Sequence, residues 1–142
     1  MGLARKIGCG CLVIVLLLVA AAAGIWVWKP WTQIVPLEMV EPTAAQGERV
    51  DTGDVLGNFY PAKGADNGPG VLLIGGSEGG LGSDMTQLAR ALQDDGFSVL
   101  HQSYWRAPGQ PERLEGIRLE TFQRGLSWLR ARPEVDPART AM

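Results

Sequence analysis

The sequence predicts an α/β domain, a mostly parallel sheet flanked by helices, preceded by a single apolar helix. Three observations lead there. Residues 8–28 form a run of 21 without a charge. From residue 49 on, strand-like segments alternate with amphipathic helical ones, the order that builds a parallel sheet through right-handed crossovers. A continuous apolar run, Val71-Leu72-Leu73-Ile74, ends in the loop Gly75-Gly76-Ser77-Glu78-Gly79-Gly80 and is followed by a helical pattern. Unbroken runs of this kind suit a strand covered on both faces.

The apolar run comes first. As a helix it extends roughly 31 Å, about the hydrocarbon thickness of a bilayer. Arg5 and Lys6 precede it, while Trp26, Trp28 and Trp31 cluster beside Lys29 at its far end. Residues 1–7 are then expected in the cytoplasm, 8–28 as a single-pass anchor in the lipid bilayer, and the rest outside the cell membrane, periplasmic or extracytoplasmic. A cleaved signal peptide is the competing expectation, with Ala21-Ala22-Ala23 as a small-residue site. Against cleavage, the apolar character continues through Ile25, Trp26, Val27 and Trp28. Cys9 and Cys11, the two cysteines, lie in this segment. They read as small apolar helix residues or as acylation sites, and the exported part has neither a disulfide framework nor a thiol nucleophile.

Residues 29–48 contain Pro30, Pro36 and Pro42 with little periodicity and read as a stalk. Over 49–63 one or two short strands are expected, with turn signals at Asp51-Thr52-Gly53-Asp54 and Gly57-Asn58. After the glycine loop, Ser83 or Asp84 can cap a helix whose buried face is Met85, Leu88, Ala89 and Leu92, with Gly96 beyond its last turn. Phe97 to Tyr104 is the next strand. A second helix is expected over 115–131 with Leu119, Phe122, Leu126 and Leu129 inward; Pro133 ends it, and 139–142 begins another strand. Residues 49–142 form the domain in this reading. Hydrophobic content of 46% and charged content of 20% fit a globular chain with an apolar addition. A net charge of −2 and no basic, aromatic-interleaved patch give no reason for a nucleic-acid partner.

The glycine loop carries the chemistry. Gly75-x-Ser77-x-Gly79 satisfies the pattern of a serine nucleophile elbow, but an elbow helix begins at the serine. Here Gly80, Leu81 and Gly82 intervene, and His101, the single histidine, lies on the neighbouring strand, so no catalytic side chain is expected within the chain. A P-loop would need Gly-Lys-Ser/Thr, and the dinucleotide fingerprint is out of register, so no cofactor and no metal is expected. What remains is the backbone: glycines let main-chain N–H groups point at an anion, such as the tetrahedral oxyanion of acyl transfer. The alternative is a tight connection with no ligand.

Val71-Leu72-Leu73-Ile74-Gly75-Gly76-Ser77-Glu78-Gly79-Gly80-Leu81 resembles the strand and oxyanion loop of the acyl-CoA thioester hydrolase / bile-acid-CoA:amino-acid N-acyltransferase C-terminal domain, an α/β-hydrolase. Leu92 to Leu100, Ile117 to Phe122, and Trp128-Leu129 through Val135-Asp136-Pro137 follow in that family's order. The resemblance covers roughly 49–142 and implies the N-terminal half of an α/β-hydrolase domain, truncated before its nucleophile elbow. It implies a small acyl ester or thioester substrate for the intact enzyme and oxyanion-hole N–H groups at Gly76 and Ser77, with Glu78 shaping the loop or contributing its own. The family's nucleophile, acid and histidine have no counterpart in residues 1–142, so this chain alone is expected to be inactive. The animal enzymes carry a β-sandwich where this chain has an anchor and stalk, which points to a bacterial envelope relative. The rival expectation is a non-catalytic, membrane-tethered binding or scaffold module.

Overall fold

The computed structural model describes residues 3–28, 36–64 and 66–142, the side chains of 3–12 excepted. The chain divides into two compact units, Met1–Val35 and Pro36–Met142. The first holds helix α1, Leu3–Trp28. Every side chain described on it, from Val13 to Trp28, is exposed. Among the described residues no helix is long and apolar enough to cross a membrane, so the expected span over 8–28 is not found there; its first residues, with Cys9 and Cys11, have side chains outside the description.

The second unit is a five-stranded mixed sheet in the order β1-β2-β4-β3-β5. Strands β1 (Glu48–Asp51) and β2 (Leu56–Tyr60) form the expected hairpin. Its turn is tied by the Thr52 hydroxyl and the Asp51 carboxylate, which accept the N–H groups of Val55 at 3.1 Å and Gly53 at 3.2 Å. Strand β3 (Gly68–Ile74) lies between β4 (Ser98–Ser103) and β5 (Val135–Ala141), parallel to both, and β2 pairs antiparallel with β4. Helices α2 (Ser83–Asp94) and α3 (Leu119–Arg130) supply the crossovers and cover opposite faces. Phe59, Leu72, Leu100 and Leu129 centre the core under α3, while Tyr60, Ala89 and Val99 pack under α2.

Several expectations change. Gly57-Asn58 is no turn but the middle of β2. A Cβ at Gly57 would sit 2.5 Å from the His101 carbonyl oxygen, so the glycine admits close strand approach, and buried Asn58 donates its amide to the Val40 carbonyl at 2.6 Å. Helix α3 starts at Leu119 rather than near Glu115, because Gly116 has φ +65° and cannot extend a right-handed helix backwards. Leu119 is consequently 73% exposed, and the inward stripe is buried Gly125 and Leu129 with half-buried Phe122 and Leu126. On α2 the buried face is turned toward Thr86, Ala89 and Gln93, leaving Leu88 42% exposed. Gln93 is accommodated because its amide donates to the carbonyls of Gln46 and Pro61 at 2.7 and 2.8 Å. Gly96 takes φ +88° after α2 as expected, and Phe97 N–H closes the end by reaching the Leu92 carbonyl at 3.0 Å.

The stalk expected over 29–48 falls partly outside the described residues, at 29–35. From Pro36 the chain belongs to the sheet unit, not to a linker. Met39 bridges Leu81 in parallel: Val40 N–H donates to the Leu81 carbonyl at 3.0 Å, and Leu81 N–H to that of Glu38 at 2.9 Å. Helix α2 also departs from expectation at its start. Gly82 holds the cap position without a side-chain bond, and the Ser83 N–H donates to the carboxylate of Glu38 at 2.7 Å.

Candidate functional site

The glycine loop, 75–82, leaves the C-terminal end of β3 and leads into α2. It is too long for a nucleophile elbow, and Ser77 is exposed and does not head the helix. His101 sits on the adjacent strand, fully buried, opposite Leu73 in register. Burial lowers its pKa from 6.5 to about 4, the nearby Glu78 charge opposing the shift only in part. The ring is therefore neutral near pH 7, with both nitrogens buried and unpartnered among the described residues.

Three consecutive residues at the end of β4 hold the loop by its carbonyl oxygens. The Tyr104 hydroxyl donates to the Gly75 carbonyl at 3.0 Å and to that of Gly76 at 3.3 Å. The Trp105 indole N–H donates to the Gly76 carbonyl at 3.2 Å, and the Arg106 guanidinium to that of Glu78 at 2.7 Å. In a trans peptide the C=O and the following N–H point in opposite directions. Anchoring the oxygens of Gly75, Gly76 and Glu78 therefore aims the N–H groups of Gly76, Ser77 and Gly79 away from these anchors. Gly80 N–H is taken by the Trp105 carbonyl at 3.1 Å.

The N–H groups of Ser77 and Glu78 make no hydrogen bond among the described residues. Gly76 N–H donates to the Glu78 carboxylate at 3.1 Å. That carboxylate lies against the two preceding glycines: a Cβ at Gly75 or Gly76 would stand 3.0 or 3.2 Å from its oxygens. So an anion already occupies the first of the expected donors, and it is the chain's own. The Glu78 charge also reaches Tyr104, whose pKa is raised, first by burial and then by this carboxylate. Tyr104 thus stays protonated and keeps donating.

Sequence reasoning missed Tyr104, Trp105 and Arg106 as a group. The available signal was the parallel pairing of the strands before them, which sets the end of β4 beside the end of β3. Among the described residues no cluster of His, Cys, Asp and Glu could hold a metal ion.

No protein-family model matches the chain. Mouse bile acid-CoA:amino acid N-acyltransferase is 33% identical over 87 residues, 61% of this chain and 20% of that protein. Human mitochondrial acyl-coenzyme A thioesterase 2 is 29% identical over 94 residues, 66% of this chain and 19% of that protein. An uncharacterised Mycobacterium tuberculosis protein is 34% identical over 98 residues, 65% of this chain and 34% of that protein. The chain spans about a fifth of the length of the first two relatives. Among solved structures, a dienelactone hydrolase-like promiscuous phosphotriesterase from metagenomic libraries superposes with a TM-score of 0.53 at 24% identity, covering 66% of this chain and 46% of that one. The chain is a partial-length relative of the acyl-CoA thioesterases and bile acid-CoA:amino acid N-acyltransferases, on an α/β-hydrolase-like fold.

Proposed function

We propose that this chain provides the oxyanion-binding half of a hydrolase that cleaves a small acyl thioester or ester by acyl transfer. The observation that carries the reading is the carbonyl anchoring by Tyr104, Trp105 and Arg106, which turns loop N–H groups outward at the C-terminal end of β3. Fixed donors at that place stabilise a developing oxyanion, each worth about 3–4 kcal/mol of barrier, once the Glu78 carboxylate leaves the Gly76 N–H. The relatives named as acyl-CoA thioesterases support thioester chemistry. Nucleophile, acid and histidine belong to other residues of the intact enzyme, and residues 1–142 alone turn over no substrate.

Residues 8–28 hold the unit at a bilayer in this proposal, supported by the 21-residue uncharged run behind Arg5 and Lys6. Extraction of membranes with alkaline carbonate tests it: a chain released into the supernatant is not anchored through the bilayer.

The catalytic reading is tested with a fluorophosphonate serine-hydrolase probe and an acyl-CoA hydrolysis assay. The 142-residue chain should neither label nor hydrolyse, whereas the intact enzyme should do both and keep its activity in Ser77→Ala, since only the main chain of Ser77 is used. Labelling of the 142-residue chain that is lost in Ser77→Ala would instead make Ser77 the nucleophile. An intact protein that neither labels nor hydrolyses would leave a non-catalytic binding module.

A further inference from the structure

The Glu78 side chain is given room but little hold. Glycines stand where it folds back over the loop: a Cβ at Gly75 or Gly76 would press on its oxygens at 3.0 or 3.2 Å, and one at Gly82 would meet its Cγ at 3.7 Å. Against that fit, its carboxylate accepts a single main-chain proton, that of Gly76, and makes no ion pair among the described residues. The Arg106 guanidinium donates to the Glu78 carbonyl oxygen instead.

A second carboxylate weakens that hold. The same Cβ at Gly82 would stand 3.8 Å from a carboxylate oxygen of Glu38, which already takes the Ser83 N–H at 2.7 Å. Two like charges thus flank one glycine, and each disfavours the other. Gly76 and Ser77 are exposed, so the N–H that Glu78 occupies is open to solutes. The Ser77 N–H, next along the chain, makes no hydrogen bond among the described residues. An incoming oxygen gains there a donor that Glu78 does not use.

We infer that Glu78 is an internal competitor for the oxyanion position: its carboxylate holds the Gly76 N–H in the resting chain and swings into solvent when an external oxyanion takes that donor. The inference rests on the acyl-transfer reading above and names what regulates that site. A neutral carbonyl oxygen is a weaker acceptor than a carboxylate and leaves Glu78 in place, whereas an oxyanion competes on equal terms. The loop then discriminates between charged and neutral oxygens, as a transition-state binding element must.

The test is titration of acetate into the full 142-residue chain, followed by amide ¹H–¹⁵N shifts, with ionic strength held by perchlorate, a poor hydrogen-bond acceptor. Saturable shifts are expected at Gly76 and Ser77, weak in wild type and about tenfold tighter in Glu78→Ala. Glu78→Gln removes the charge but keeps an acceptor for the Gly76 N–H, so it should gain only part of that. Acetamide, of the same shape but neutral, should not bind the wild type. Unchanged amide shifts elsewhere in the sheet unit show that each variant is folded. Equal acetate affinity in wild type and Glu78→Ala, no saturable shift at these amides in all three chains, or acetamide binding as tight as acetate overturns the inference. Equal affinity in Glu78→Gln and Glu78→Ala does so too, since charge repulsion alone then accounts for the gain. The expected acetate results alongside an intact enzyme that cleaves no thioester would remove the catalytic reading and leave Glu78 as a competitor. Thioester cleavage without these acetate effects would do the reverse.

Discussion

The carboxylate of Glu78 accepts the amide proton of Gly76, two residues back along the same loop, at 3.1 Å. An internal anion thus sits on a donor that the proposed chemistry needs for a substrate oxygen. Replacing Glu78 by Ala should leave Gly76 N–H to solvent, moving its proton resonance upfield and speeding its hydrogen exchange. Glu78→Gln, which keeps an oxygen acceptor, should fall between. An unchanged Gly76 resonance in the alanine variant would mean that this bond is not kept in solution.

Glu38 caps α2 from outside the helix. The Ser83 main-chain N–H, helped by the Ser83 side chain, holds its pKa below the usual carboxylate range. A lowered carboxylate stabilises the fold above its unfolded pKa, near 4.5, and loses that contribution as pH falls through the folded value. Thermal melting of Glu38→Ala should therefore be below wild type at pH 7, and the gap should close in acid. A constant gap from pH 7 to pH 3 would remove the charge from the explanation.

His101 works in a higher pH window with the same sign. Its folded pKa is about 4 against 6.5 when exposed, so between these values the unfolded chain binds more protons. Stability is full above about pH 6.5 and declines as pH falls toward 4, by on the order of 3 kcal/mol. Denaturant unfolding of wild type and His101→Gln across pH 4–7 measures this, and the variant should lose the slope. Equal slopes would show that other groups set the pH dependence.

Gly80 is the loop position least open to change. It has φ +66°, and a Cβ there would lie 2.5 Å from both the Glu38 carbonyl oxygen and a methyl of Leu37. Gly80→Ala should cost about 2 kcal/mol or more, from left-handed strain plus the clash, and should loosen 36–40 from the loop. Chemical denaturation gives the first number, and faster amide exchange at Val40 gives the second. A melting point within a degree of wild type would exclude both effects.

How much of this was legible depended on where the information lay. The hairpin, the central strand over 71–74 (with Leu72 buried and its neighbours half-buried), the Gly96 helix end and the alternation that orders the sheet were readable because local periodicity and turn chemistry specify them. The docking of 36–47 was not, since it runs through main-chain atoms of Glu38, Val40 and Leu81, which hydropathy does not register. Gly57-Asn58 misled because glycine and asparagine serve turns more often than buried strands. The loop was identified from its glycines alone, whereas its restraint comes from Tyr104, Trp105 and Arg106, distant in sequence and brought alongside only by strand pairing.

That restraint has a mechanical meaning. Four glycines in six positions would ordinarily make the most pliable stretch of the unit, with many shapes of nearly equal energy. Clamped by its oxygens, this stretch keeps one shape, and the ordering cost is met when the chain folds rather than when a ligand arrives. Glycine here supplies room rather than motion, and a visiting anion meets a main chain already set, with only the Glu78 side chain left to move aside.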